Sequence, residues 1–297
     1  MEKTRTGYTV RWSLLLKGNG IIMEIKDNEL HCKDEQKVWA IGDIHGCYDQ
    51  FVEIIGSPQI GDDDVVVLIG DIIDRGPNSF KMLEWAMNNV NNGGKYLMLR
   101  GNHEQNIIED FYALVEQRER KNRYKIKTGE EPVDYKDLPI YDLRCNYDFC
   151  EYMDRAGIIT VGMAEKYIWW MEELPLYLRV TLSDKRKYVL AHAWFEGELM
   201  PDGKVRKIIS DENIVWHRDM NFYHNLTEDD YRPMEEGEIL IHGHTPVPII
   251  RGHYGELANP IFRKHSINID GGCFLEKGYG GRLIALCLND YTILGST

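Results

Sequence analysis

A chain of 297 residues, 43% hydrophobic and 28% charged, has the composition of a soluble globular protein and is long enough for one large domain with a substantial core. Its formal net charge of -13 argues against broad, sequence-independent nucleic-acid binding, which needs a basic face to neutralise many phosphates. No apolar run approaches the roughly 20 residues of a membrane-spanning helix, so no membrane partner is expected.

In chain order, residues 1–36 read as a tail, partly disordered, ahead of a single catalytic unit over 37–297. The opening MEKTRTGYTVRWSLLLKGNGIIM is basic, with a short apolar stretch at Leu14 to Leu16 and no secretory cleavage site. Met23 is a candidate alternative start, which mass spectrometry of protein made from the native gene would test. Three β-branched or aliphatic runs follow, each leading straight into a polar turn: Val38 to Ile41 before Gly42-Asp43, Val65 to Ile69 before Gly70-Asp71, and Tyr96 to Leu99 before Arg100-Gly101-Asn102. Each reads as a buried strand ending in a functional loop.

Between these runs, Phe51, Ile54 and Ile55 predict a short helix, and Phe80, Leu83, Trp85, Ala86 and Val90 a longer one. Asp43, Asp71 and Asn102 are 28 and 31 positions apart, about one β-α-β unit of ~30 residues each. That spacing sets the three loops side by side beyond adjacent parallel strands. A helix from Gln105 to about Arg118 precedes a charged, Tyr-rich region at about 118–157, which reads as an insertion or cap over a site.

Later elements are a helix over Ala164 to Glu173, a hairpin of Leu176 to Leu182 and Tyr188 to Ala191, and a strand at Ile239 to His242. Ser266 to Ile269, Leu283 to Leu288 and Tyr291 to Leu294 complete the strands. Strands at both ends of the chain predict an α/β fold of two packed mixed sheets flanked by helices. Six cysteines without a C-x-x-C pair favour reduced thiols and a cytoplasmic location.

The chemistry lies in the turns. Asp43 and His45 stand two positions apart, so in extended backbone both side chains can reach one ion; alone, Asp43 could equally cap the next helix and His45 pack beside it. Asp71 ends a strand, and a carboxylate there can bridge two cations. Asp74 and Arg75 follow, and the arginine fork suits a phosphate, although Asp-Arg-Gly-Pro is also an ordinary turn. Asn102 supplies a neutral oxygen, and His103 titrates in the range of a proton donor at neutral pH. His192 and His244 each close a further apolar run. A lone histidine there is more often structural, but a carboxylate-rich site nearby makes a ligand role the better reading.

Together, GDIHG, GDIIDRG, RGNHE, Ala191-His192-Ala193, Trp216-His217-Arg218, HGHTP and Asn268 to Gly272 resemble the phosphoprotein phosphatase family of metallophosphoesterases. The likeness runs from about Val38 to Leu294, and its bacterial and bacteriophage branch, which includes the lambda phage phosphatase, is the nearest in pattern. The resemblance implies the calcineurin-like metallophosphoesterase fold. It also implies one metal held by Asp43, His45 and bridging Asp71, and a second held by Asp71, Asn102, His192 and His244. His103 would be the general acid, Asp74 its orienting partner, and Arg75 and Arg218 the phosphate grips.

The implied reaction is removal of phosphate from phosphoserine or phosphothreonine proteins by direct attack of water activated between two divalent ions. Oxygen and nitrogen ligands without thiolate favour Mn²⁺, with Fe or Zn²⁺ as alternatives. The rival with the same centre is a bis(5'-nucleosyl)-tetraphosphatase or nucleic-acid-end phosphatase, whose partner would be a dinucleoside polyphosphate, because fold and metal site do not fix the leaving group. A binding protein that merely keeps the fold is a weaker rival, since every chemistry-bearing position has a competent side chain. Trp194 departs from the glycine of many members, and His217 and His242 match no ligand position.

Overall fold

The computed structural model describes residues 14–17, 22–143, 147–195, 197–199, 205–207, 211–218, 236–252 and 255–297. In chain order the first elements are β1 (Leu14–Lys17), β2 (Ile22–Lys26), β3 (Glu29–His31), β4 (Val38–Ile41), α1 (Tyr48–Ile55), β5 (Val65–Leu68), α2 (Ser79–Asn89), β6 (Tyr96–Met98) and α3 (Asn102–Thr128). Then come α4 (Tyr147–Arg155), α5 (Val161–Glu172), β7 (Tyr177–Thr181), β8 (Lys187–Ala191), β9 (Gly197–Leu199), β10 (Val205–Lys207), α6 (Asp211–Trp216), β11 (Glu238–His242) and α7 (Val247–Arg251). The chain closes with β12 (Ile261–Phe262), β13 (Ser266–Asn268), β14 (Ile284–Cys287) and β15 (Ile293–Gly295).

Two mixed sheets carry the architecture, ordered β15-β14-β4-β5-β6 and β1-β2-β3-β7-β8-β11-β13-β12. All four residues of β4 and of β5 are buried, because both faces of their sheet are covered. Alternation assigns the faces. Val38, Ala40, Val65 and Val67 meet Leu190, Ile241 and Ile267 of the other sheet, while Trp39, Ile41, Val66 and Leu68 turn to a core shared with Phe51, Met82, Leu83 and Ile107 of the helices. The strand pairs β4–β5 and β5–β6 are parallel, as are β8–β11 and β11–β13.

Two expectations change. Residues 22–31 are no loose tail: β2 and β3 pair antiparallel, β3 pairs parallel with β7, and Ile25 and Leu30 are fully buried between the sheets. The ordered unit therefore starts upstream of residue 37; residues 1–13 lie outside the described residues. The helix expected to end near Arg118 runs on to Thr128, where left-handed Gly129 (φ 80°) donates its N–H to the carbonyls of Lys125 and Ile126. Much of 118–157 is thus helix and 3-10 turn, with Leu138, Ile140, Leu143, Phe149 and Met153 buried in the helix-side core. It still reaches the site, since Asp148 accepts the Arg75 backbone N–H at 3.2 Å.

Candidate metal centre

Apart from Arg218, which follows α6, every side chain expected at the site lies just beyond a strand, in the loop or the helix start that follows it. Asp43 and His45 follow β4, Asp71, Asp74 and Arg75 follow β5, Asn102 and His103 follow β6, His192 follows β8 and His244 follows β11. Since these strands are parallel within their sheets, their carboxyl ends bring the loops to one rim, as open α/β sheets do. The turns are tight: His45 (φ 44°), Asp71 (50°), Asp74 (67°), Arg75 (67°) and His244 (67°) all adopt the left-handed region. Each costs about 1 kcal/mol or more and persists only where surroundings impose it. Here the loops lock together, with Ile44 and His45 N–H donating to Asp71 O at 3.0 and 2.8 Å.

Asp71 lies at the centre. Its Oδ2 is 3.3 Å from His192 Nε2, 3.6 Å from His45 Nε2 and 3.9 Å from His103 Nε2. Among the described residues two groups could each hold a cation, His45–Asp71–His103 and Asp71–His192–His244, the donor atoms within each lying within 4.8 Å of one another. Asn102 Oδ1 lies beside the second, 2.9 Å from His192 Nε2 and 2.8 Å from His244 Nδ1. Asp43 is buried beside them but belongs to neither group; both its oxygens accept the His244 backbone N–H, at 3.2 and 3.1 Å. Space is tight enough that Gly243 and Gly101 must be glycine, since a Cβ would fall 2.0 Å from Asp43 Oδ1 and 2.1 Å from Asp71 Oδ1.

This donor set fits a pair of cations. His45 Nδ1 lies 2.8 Å from Ile73 O and His192 Nδ1 3.2 Å from Ile69 O, which directs each Nε2 lone pair inward, as ligand histidines require. Burial drives the His45 and His244 imidazoles down to about 3 and about 2, so both are neutral donors. Burial, then the charges of Asp270 and Asp71, pushes the Asp43 carboxyl well up. Burial would raise Asp71 too, but the imidazoles of His192, His103 and His45 outweigh it and hold its carboxyl well below the usual range. Several carboxylates crowded in a dry pocket demand positive charge.

Around this cluster, His103 Nδ1 lies 2.6 Å from Asp74 Oδ2, and its N–H at the start of α3 donates to Asp71 Oδ1 at 2.9 Å. Burial alone would depress the His103 imidazole; the charge of Asp71 and the Asp74 hydrogen bond raise it instead. The exposed Arg75 guanidinium lies 3.0 Å from His45 Nε2, and exposed Arg218 donates to Thr245 Oγ1 at 2.8 Å on the His244 side. Trp194 is buried with Phe195, Ile214 and Val215, its ring 5.3 Å from that of His217 and 5.9 Å from that of His242. His242 and His217 join neither cation-holding group.

Sequence reasoning assigned no role to Glu104 or Asp270, though both sit inside the quoted motifs. Glu104 is fully buried and accepts the N–H groups of Gly101, Asp71 and Ile72 at 2.8, 2.9 and 3.0 Å, fixing the turn that carries Asp71. Burial pushes its carboxyl up to about 7. Its signal was a charged residue three positions into a helix, the place from which a side chain reaches back to the cap. Glu104→Ala strands three buried donors and should cost about 3 kcal/mol or more, read as a lower melting temperature of metal-free protein; an unchanged melt would show the turn holds without it.

The fold and the site define a metal-dependent phosphoesterase. A family profile described as calcineurin-like phosphoesterase matches residues 36–270, and the chain belongs to that family. Among curated relatives, the asymmetrical bis(5'-nucleosyl)-tetraphosphatase PrpE of Bacillus cereus strain B4264 is 25% identical over 260 residues, covering 83% of this chain and 88% of the relative. Its counterpart in Bacillus mycoides strain KBAB4 is 26% identical over the same share. These relatives lie with the tetraphosphatases of the family rather than with the lambda phage branch suggested by the motifs. Solved structures similar in fold include a Saccharomyces cerevisiae serine/threonine phosphatase (12% identity, TM-score 0.46, 90% of this chain and 82% of that one). A cold-active protein-tyrosine phosphatase of a Shewanella species is another (17%, 0.45, 96% and 90%). No helix among the described residues is long and apolar enough to cross a membrane.

Proposed function

We propose that this protein hydrolyses dinucleoside polyphosphates asymmetrically, using two divalent cations, manganese first. Asp43, His45 and Asp71 would hold one ion, and Asp71, Asn102, His192 and His244 the other. The observation that carries this reading is the meeting of Asp71 with imidazoles on two sides, in a chain whose named relatives over 83% of its length are tetraphosphatases. When bound, the ions would neutralise phosphoryl charge and activate water. The chain's own groups do the rest. Arg75 and Arg218 grip phosphoryl oxygens, Asp74 fixes the His103 tautomer, and His103 is the proton donor for a departing oxygen that needs one, an alkoxide more than a phosphate. The described cysteines are free thiols, which supports a reducing, cytoplasmic location.

The second reading, a phosphoserine or phosphothreonine protein phosphatase, keeps every one of these roles and is favoured by the motif set. Metal-stripped protein reloaded with Mn²⁺ decides between them. The proposal expects kcat/KM for diadenosine tetraphosphate to exceed that for a phosphoserine peptide by at least about tenfold, a difference of ~1.4 kcal/mol in transition-state binding. The reverse preference would transfer the function to phosphoproteins.

A further inference from the structure

Next to the metal cluster, and not needed to hold it, is a second cleft of about 260 Å³. It opens between the first turn of α1 with its cap (Cys47 to Gln50), the loop entering α2 (Arg75 to Asn78) and the turn at Cys273 and Phe274. Arg75 is the shared wall. Its guanidinium lies 3.0 Å from His45 Nε2 on the metal side and 4.5 Å from the Phe274 ring centroid on the cleft side. The Phe274 ring in turn meets the His45 ring edge-on at 4.9 Å. Arg75 thus stands within reach of both the metal cluster and the cleft.

The lining is that of a nucleotide pocket in miniature. Two half-buried aromatic rings, Tyr48 and Phe274, offer stacking surface. Beside them are two cations, Arg75 and the exposed Lys81, whose Nζ lies 4.0 Å from the Tyr48 ring centroid and which can swing to an incoming phosphate at little cost. The Asn78 side chain makes no capping hydrogen bond to α2, and Asp49 is exposed at the rim. These supply donors and an acceptor for the polar edge of a base or for ribose hydroxyls. The volume is near the lower end for ligand pockets, ~300 Å³, enough for one nucleoside and small for a folded peptide. We infer that this cleft binds the nucleoside of the nucleotide whose phosphate sits at the metals, with Tyr48 and Phe274 as its base-recognition residues. The inference takes its substrate from the tetraphosphatase reading.

The test separates the two. With Mn²⁺-loaded protein hydrolysing p-nitrophenyl phosphate, adenosine monophosphate and ribose 5-phosphate are compared as competitive inhibitors, which share the phosphorylated ribose and carry a base and a hydroxyl respectively at C1′. The cleft predicts that the mononucleotide inhibits about tenfold more tightly, the factor of one stacked base. That ratio should persist in Tyr48→Phe and fall towards one in Tyr48→Leu, with melting curves checking that both variants fold. Equal inhibition of the unmodified protein, or a ratio unchanged in both Tyr48→Leu and Phe274→Leu, overturns it. Should the protein prefer a phosphoserine peptide as substrate yet keep the base-dependent ratio, the tetraphosphatase reading fails while the cleft stands.

Discussion

His103→Ala is expected to lower kcat on a phosphoserine peptide by about 10² to 10⁴, the usual worth of a positioned general acid. A dinucleoside polyphosphate should lose much less, because its leaving group is itself a phosphate, whose second ionisation lies near ~6 and which departs without help from an acid. The asymmetry follows from geometry already described: His103 is tied at Nδ1 to Asp74 and presents Nε2 towards the cluster, 3.9 Å from Asp71 Oδ2. Its imidazole is also held above the ordinary histidine range by Asp71 and Asp74 against the opposing effect of burial. It therefore holds its proton to higher pH than a free imidazole and loses it as pH rises through that raised value. Turnover of the poor leaving group should fall on the alkaline side in the unmodified protein, and that limb should vanish in His103→Ala. Equal losses on both substrates would remove His103 from the role of acid.

Chelation is the second large effect. Stripping divalent ions should abolish turnover, and adding back Mn²⁺ should restore it. Ligand binding to the folded state alone adds about 2.7 kcal/mol at a hundredfold excess over Kd, so reloading should also raise the melting temperature by roughly 5 °C or more for a chain of this size. A melt indifferent to Mn²⁺, with turnover preserved in chelator, would mean that the buried carboxylates are balanced by something other than cations.

Much of this was legible because the chemistry sits where two sequence signals coincide. An apolar run such as Val65 to Ile69, buried on both faces, ends abruptly in a polar turn, and the turn repeats after about one β-α-β unit. Strands β4, β5 and β6, the hairpin of β7 and β8, and β11 emerged within a residue or two of their expected bounds for this reason. What stayed hidden depended on distant partners or on missing periodicity. Strand β3 takes its place by pairing with β7, about 150 positions away, while β2 pairs with β3 across a tight turn at Asp27 and Asn28; the distant partner is what no local pattern announces. The second half of α3 is rich in charge and poor in apolar spacing. Its surface is laced by pairs such as Glu116–Arg120 and Glu119–Arg123, so it reads as coil although it is a solvated helix. Glu104 was overlooked because its work is done on backbone N–H groups rather than on a ligand, and only the folded turn reveals them.

Asp43 is the position where expectation and geometry differ most in detail. Its carboxylate accepts the His244 N–H rather than joining either cation-holding group, while its burial and the neighbouring charges of Asp270 and Asp71 keep it short of positive compensation. Asp71, by contrast, is common to both groups, and the dinuclear reading depends on it most. Elemental analysis of manganese per chain, after saturation and desalting, tests this directly. Two ions are expected in the unmodified protein and fewer than one in Asp71→Ala, with Asp71→Asn, which retains a side-chain oxygen for the His103 N–H, checking that the loss does not come from a collapsed turn. Two ions retained in both variants, or none in the unmodified protein, would contradict a dinuclear centre built on Asp71.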